Sequence, residues 1–117
     1  MTPHPDGAAA LAAVARFNDA FDRRDVDAVM AAMTVDCVFE DTAPPDGTRH
    51  VGQEDVRAAW EKLFSGPGTF TTEEVFAAGD RVVARWRYEW GDGHVRGVDV
   101  FTVRDGLVAE KLAYVKG

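Results

Sequence analysis

The sequence predicts an α+β domain, with helices first and an antiparallel meander after them. Three observations lead there. Apolar residues recur at helical spacing early in the chain, at Leu11, Val14, Phe17 and Phe21. From Thr69 onward, four runs of β-favouring residues follow one another. Only Gly79-Asp80, Gly91-Asp92-Gly93 and Asp105-Gly106 separate them, residues that suit tight antiparallel hairpins. Segregated helices and strands, rather than alternating ones, mark the α+β class.

Taken in order, residues 1–7 read as a short disordered leader holding Pro3 and Pro5. Ala8 to Arg24 forms an amphipathic helix, its propensity raised by five alanines between Ala8 and Ala13. Asp25 can cap a short second helix through Met33, with Val26, Val29, Met30 and Met33 inward. Val35, Cys37, Phe39 and Asp41 then alternate with Asp36, Val38 and Glu40, a strand signal. Pro44 to Gly47 marks a turn, and Thr48 to Val51 a short return strand. Gly52 precedes a third helix over Gln53 to Ser65, with Val56, Ala59, Trp60, Leu63 and Phe64 on one face. The four strands are Thr69 to Ala78, Arg81 to Gly91, Val95 to Arg104 and Leu107 to Lys116. Residues 8–117 therefore make one domain.

The chain has 117 residues and a net charge of -7. Its length suits a single domain with its own core. The negative charge argues against nucleic acid and anionic membrane as partners, which both call for a cationic face. There is one cysteine, Cys37, so no internal disulfide is expected, and its acidic neighbours disfavour a nucleophilic thiolate. No signal-peptide pattern and no membrane-length apolar run is visible, so a cytoplasmic location is expected. The usage of Ala, Val, Arg, Gly and Asp points to a GC-rich bacterial genome.

Phe17 to Thr42, through Asn18-Asp19-Ala20 and Asp36-Cys37-Val38-Phe39-Glu40-Asp41, resembles the opening of the nuclear transport factor 2-like superfamily. Gly52-Gln53-Glu54-Asp55-Val56, Gly97-Val98-Asp99-Val100-Phe101 and Arg104-Asp105-Gly106-Leu107-Val108 continue the likeness across nearly the whole chain. The nearest patterns are those of SnoaL-like polyketide cyclases and ketosteroid isomerases. The resemblance implies an open cone (an α+β barrel) of three helices packed on a strongly curved antiparallel sheet, with a pocket at the open end. It also implies a base at Asp41, in the Glu40-Asp41 pair, and a second aspartate at Asp99 that helps hold an oxyanion. The tyrosine that supplies the other oxyanion donor in the isomerases is Phe17 here, which has no hydroxyl.

Strand alternation supports the same residues independently. Val95, Gly97, Asp99, Phe101 and Val103 share one face, apolar except for Asp99. A carboxylate among apolar neighbours must be neutral, paired or facing a wet cavity, and each makes it a site candidate. Asp41 lies on the Val35, Cys37, Phe39 face, where its other reading is an Asx cap for the following loop. On the last strand, Lys111 shares a face with Ala109, Ala113 and Val115. Facing inward, it pairs with Asp99, whose carboxyl pKa its ammonium lowers; facing outward, it meets a surface carboxylate. Val82, Ala84, Trp86, Tyr88 and Trp90 form an aromatic wall, which Trp60 faces from the third helix. Tyr88 can replace the donor missing at Phe17.

Two functions follow. One is cofactor-free acid–base chemistry on a small hydrophobic carbonyl compound, with Asp41 as base and Asp99 with Lys111 or Tyr88 on the oxyanion. The other is a non-catalytic domain that binds a small apolar ligand. Phe17, Trp60, Trp86, Tyr88 and Phe101 are the expected ligand-binding side chains in both. No cofactor or metal is expected: His4, His50 and His94 are scattered, and no glycine-rich phosphate loop opens a helix. His50 lies where it can reach the pocket mouth. The opposite sheet face, carrying Arg85, Arg87, Arg96, Glu110, Leu112 and Tyr114, suits a homodimer contact.

Overall fold

The structure, a computed structural model, describes residues 7–116. Helices α1 (Ala8–Asp22), α2 (Val26–Ala31) and α3 (Gln53–Phe64) pack on strands β1 (Met33–Glu40), β2 (Arg49–Val51), β3 (Thr69–Ala78), β4 (Arg81–Trp90), β5 (Gly93–Arg104) and β6 (Leu107–Val115). They form one curved, unclosed sheet in the order β2-β1-β6-β5-β4-β3. The α+β cone expected from the sequence is present. Most of the expected leader lies outside the described residues, but Gly7 belongs to the fold: it is buried and caps α1 at a φ of 82°. No helix among the described residues is long and apolar enough to cross a membrane.

One pairing departs from the antiparallel expectation. β1 runs parallel to β6, so the sheet is mixed. Hairpin turns force β3 to β6 into antiparallel neighbours, but no short turn joins β1 to β6 and their direction is free of that constraint. Between the Met33–Val108 and Val38–Glu110 pairs, β1 advances five residues while β6 advances two. That irregularity breaks the alternation of β1: Val35, expected inward, is 85% exposed, whereas Cys37 and Phe39 are buried. A bulge also interrupts the β5–β6 register between Thr102 and Val103, so Val108 rather than Ala109 turns inward. Bulges bend and twist the strands that carry them, and a third lies between Thr72 and Glu74.

The core lies between the concave sheet face and the helices. Val14, Phe17, Val29, Val56, Trp60, Val82, Phe101 and Val108 are fully buried there. Local chemistry fixes the helix ends. Asp25 caps α2 by accepting the Ala28 amide at 3.1 Å. Gln53 Nε2, at the start of α3, donates to the Thr34 carbonyl at 2.8 Å. Arg24 closes α1 with a left-handed φ of 55° and donates to the carbonyls of Phe64 at 2.6 Å and Gly66 at 3.0 Å, and also to that of Gly68. This clamp holds the α3–β3 loop beside the open end of the cone.

Candidate functional site

A cavity of about 100 Å³ opens between α1, the end of β1 and the inner faces of β3 to β6. Phe21, Phe39, Leu63, Phe70, Ala84, Trp86 and Ala113 line it with apolar surface. Asn18, Asp22, Asp41, Thr42 and Thr72 add polar groups, and Asp99 and Lys111 complete the wall. Its volume is well below the roughly 300–1,000 Å³ of pockets that enclose drug-sized ligands. It is also smaller than the roughly 150 Å³ apolar cavity that holds one benzene ring. A ligand it encloses is therefore smaller than a single aromatic ring, and anything larger must extend through the mouth.

Asp99 on β5 and Lys111 on β6 meet at the wall. Their side chains are 11% and 7% exposed, and Lys111 Nζ lies 3.6 Å from Asp99 Oδ2. The two strands are registered here, with Phe101 opposite Lys111 and Asp99 opposite Ala113. The sequence placed Lys111 correctly because it lies beyond the β6 bulge, where alternation is intact. Five aromatic rings surround the ammonium, at 4.4 Å (Phe21), 4.9 Å (Trp60), 5.4 Å (Phe39), 5.6 Å (Phe17) and 6.0 Å (Phe101).

Burial dominates the electrostatics of the pair. It pushes the Asp99 carboxyl above its ordinary value, against the opposing charge of Lys111, a smaller pull from the Trp86 indole and the contact with Lys111. It pushes the Lys111 ammonium below its ordinary value, against the charge of Asp99. The expected lowering of the Asp99 pKa is thus reversed, because desolvation outweighs the ammonium. The Trp86 indole lies close enough to Asp99 to lower its pKa, yet neither Trp86 Nε1 nor Asp99 Oδ1, both buried, completes a hydrogen bond of good geometry among the described residues.

Asp41 borders the same cavity just beyond β1. Its Oδ1 accepts the backbone N–H groups of Thr48 at 2.7 Å and Ala43 at 3.0 Å, the Asx role open from the sequence. Its Oδ2 lies 3.2 Å from Nε2 of His50, whose ring stacks on Phe39 at 5.6 Å. Burial acts to raise the Asp41 pKa, but the two amides and His50 together outweigh it and lower the pKa. At the mouth, Asp22 is shifted the other way, raised by partial burial and by Asp19.

The remaining expected ligand-binding residues divide. Trp86 lines the cavity, its indole seated over Gly97, where any Cβ would overlap the ring. Phe17, Trp60 and Phe101 do not line it; they are fully buried one layer behind and contribute to the ring set around Lys111. Tyr88 is not among the lining residues either. Its hydroxyl oxygen accepts the Gly68 N–H at 2.9 Å, which ties β4 to the α3–β3 loop and makes Tyr88 a loop anchor rather than a donor to the cavity. Sequence reading missed Phe21, Phe39 and Phe70 as lining. Phe21 follows Phe17 by one helical turn, and Phe70 pairs with Tyr88 across β3–β4, so their faces were legible but not their closeness to the opening. Among the described residues no group of three or more His, Cys, Asp or Glu side chains is placed to hold a metal ion.

Residues 14–111 match the family model of the SnoaL-like domain. A nuclear transport factor 2-like protein of unknown function from Mesorhizobium loti is 39% identical, with 99% of this chain and 98% of that one covered and a TM-score of 0.87. A protein from Kribbella flavida, described provisionally as a ketosteroid isomerase, shares the fold at 21% identity and a TM-score of 0.81, covering 93% and 78% of the two chains. A protein from Sinorhizobium meliloti, described provisionally as a polyketide cyclase, shares it at 23% identity and a TM-score of 0.76, covering 86% and 92%. A comparison with curated protein sequences finds no match.

Proposed function

The chain belongs to the SnoaL-like domain family, and from that premise we propose that it holds a small apolar carbonyl compound in the cavity and carries out cofactor-free acid–base chemistry on it. The observation that carries this reading is the buried Asp99–Lys111 pair on the cavity wall, with Asp99 Oδ1 and Trp86 Nε1 unsatisfied beside it. For stability alone, apolar residues of similar volume often serve as well as a buried ion pair. Each unsatisfied buried polar group costs about 1–3 kcal/mol. A ligand whose oxygen sits at this wall offsets that cost. Lys111 and the Trp86 N–H can donate to the oxygen as charge grows there, while Asp41 at the mouth receives a proton from the adjacent carbon. Enolisation of this kind is the shared step of isomerisation, cyclisation and dehydration.

The second reading, a binding domain without catalysis, draws on Asp41 and Phe17. A carboxylate with a lowered pKa is a weak base, and Phe17 has no hydroxyl to offer. One experiment separates the two. Acetone and butanone in D₂O should exchange their α-protons faster with the protein than in buffer. Asp41→Asn should lower the rate by roughly 10²–10⁴-fold, the usual worth of a positioned base. Saturable binding with no exchange above buffer would select the binding domain, and no binding would reject both.

A homodimer through the convex sheet face is part of the proposal. Phe76 and Tyr114 are 48% and 54% exposed there, flanking a groove also lined by Val83, Arg85, Arg96 and Val98. Cys37, free and buried, suits a reducing cytoplasm.

A further inference from the structure

We propose that Lys111 is a nucleophilic amine that condenses with a small aldehyde in the cavity, making this wall a Schiff-base-forming site. The inference rests on the reading that the cavity takes a small carbonyl compound, and adds a covalent step to it. Among the described residues Lys111 is the one lysine on the cavity wall; Lys62 and Lys116 are exposed elsewhere. Its Nζ lies among the rings of Phe17, Phe21, Phe39, Trp60 and Phe101, with the Asp99 carboxyl 3.6 Å away. A lysine desolvated in an apolar pocket is an activated nucleophile, because burial favours the uncharged amine. Each unit by which a lysine pKa falls raises the free-amine fraction near neutral pH about tenfold.

The chemistry balances without an oxidant. The Nζ lone pair attacks the carbonyl carbon, and the C=O π pair moves to oxygen, which takes a proton from the Asp99 carboxyl. The new ammonium nitrogen returns a proton to the Asp99 carboxylate, leaving a carbinolamine. Asp99 then protonates the hydroxyl, the C–O bond breaks, water leaves and the nitrogen lone pair closes the C=N bond. The resulting iminium is a stronger electron sink than the carbonyl, so it serves the same α-proton removal by Asp41. The cavity's small volume selects short-chain aldehydes over bulky ones.

The test uses the intact protein, butanal and cyanoborohydride, which traps the imine as a butyl-lysine. Site-resolved mass spectrometry compares the three lysines within one sample, so no variant has to fold. Lys111 should be alkylated about tenfold faster than Lys62 or Lys116, and excess acetone, whose own trapped adduct differs in mass, should slow butyl labelling at Lys111 only. Labelling at Lys111 no faster than at the two exposed lysines would overturn the inference. Amide shifts of Asp99 and Lys111 on adding butanone decide separately whether the cavity binds a carbonyl compound. Shifts without labelling reject the amine alone, whereas neither shifts nor labelling rejects the reading beneath it as well.

Discussion

At the scale of single residues, the Asp99–Lys111 pair and Asp41 show opposite ways of placing an acid near a cavity. Asp99 is buried beside one cation and its carboxyl pKa is raised; Asp41 collects two backbone N–H groups and His50 and its pKa is lowered. Replacing Lys111 by Met removes the charge that opposes desolvation, so the Asp99 pKa should rise further, as an NMR titration of the carboxyl would show. An unchanged Asp99 pKa would mean that the two groups do not interact. The same change leaves a buried carboxyl without its partner and should cost roughly 1–3 kcal/mol, read by urea unfolding. For Asp41, the folded pKa lies below the ordinary 3.8, so on acidification the unfolded chain takes up the proton first. Its stabilisation is complete above that ordinary value and disappears as pH falls through the lowered one. Asp41→Ala should therefore cost roughly 1–3 kcal/mol near neutral pH, with the gap to wild type closing in acid. A gap that stayed constant down to acid would show that the carboxylate charge is not what holds the loop.

At the scale of elements, strand alternation carried the inward placement of Asp99, Trp86 and Lys111, since each lies where its strand is regular. It failed at Val35 and Ala109, because a bulge adds residues without a local sequence mark. Alternation also cannot tell which inward side chain borders open space. Trp60 and Phe101 face inward but do not border the opening: Trp60 packs against Phe21 and Phe39 and Phe101 against Phe17, while Tyr88 is covered by a loop that reaches it from α3. The parallel β1–β6 pair was invisible because its partners are far apart in sequence. One contact between strands is open to test. The Trp86 indole crosses Gly97, and an alanine there meets the ring and the Tyr114 carbonyl oxygen. Gly97→Ala should cost roughly 1–3 kcal/mol through overpacking and weaken butanone binding by displacing the cavity wall. Unchanged stability and binding would show that the indole is free to move.

At the scale of the whole molecule, the helices and the cone of sheet were legible because helix periodicity and hairpin turns are local signals. The site was legible only in part, because desolvation is set by packing between distant elements. The convex face should join two copies: light scattering at micromolar concentration should give twice the chain mass, and Tyr114→Asp should give a monomer. A wild-type monomer would reject the interface. The central claim concerns the concave side, that a small carbonyl compound binds with its oxygen on the Asp99–Lys111 wall. A crystal structure with butanone soaked in tests it most directly. The ketone oxygen should lie within hydrogen-bonding distance of Lys111 Nζ or Trp86 Nε1, with the alkyl chain among Phe21, Phe39 and Phe70. Butanone bound only in the convex groove by Phe76 and Tyr114, with the cavity holding none, would contradict the account.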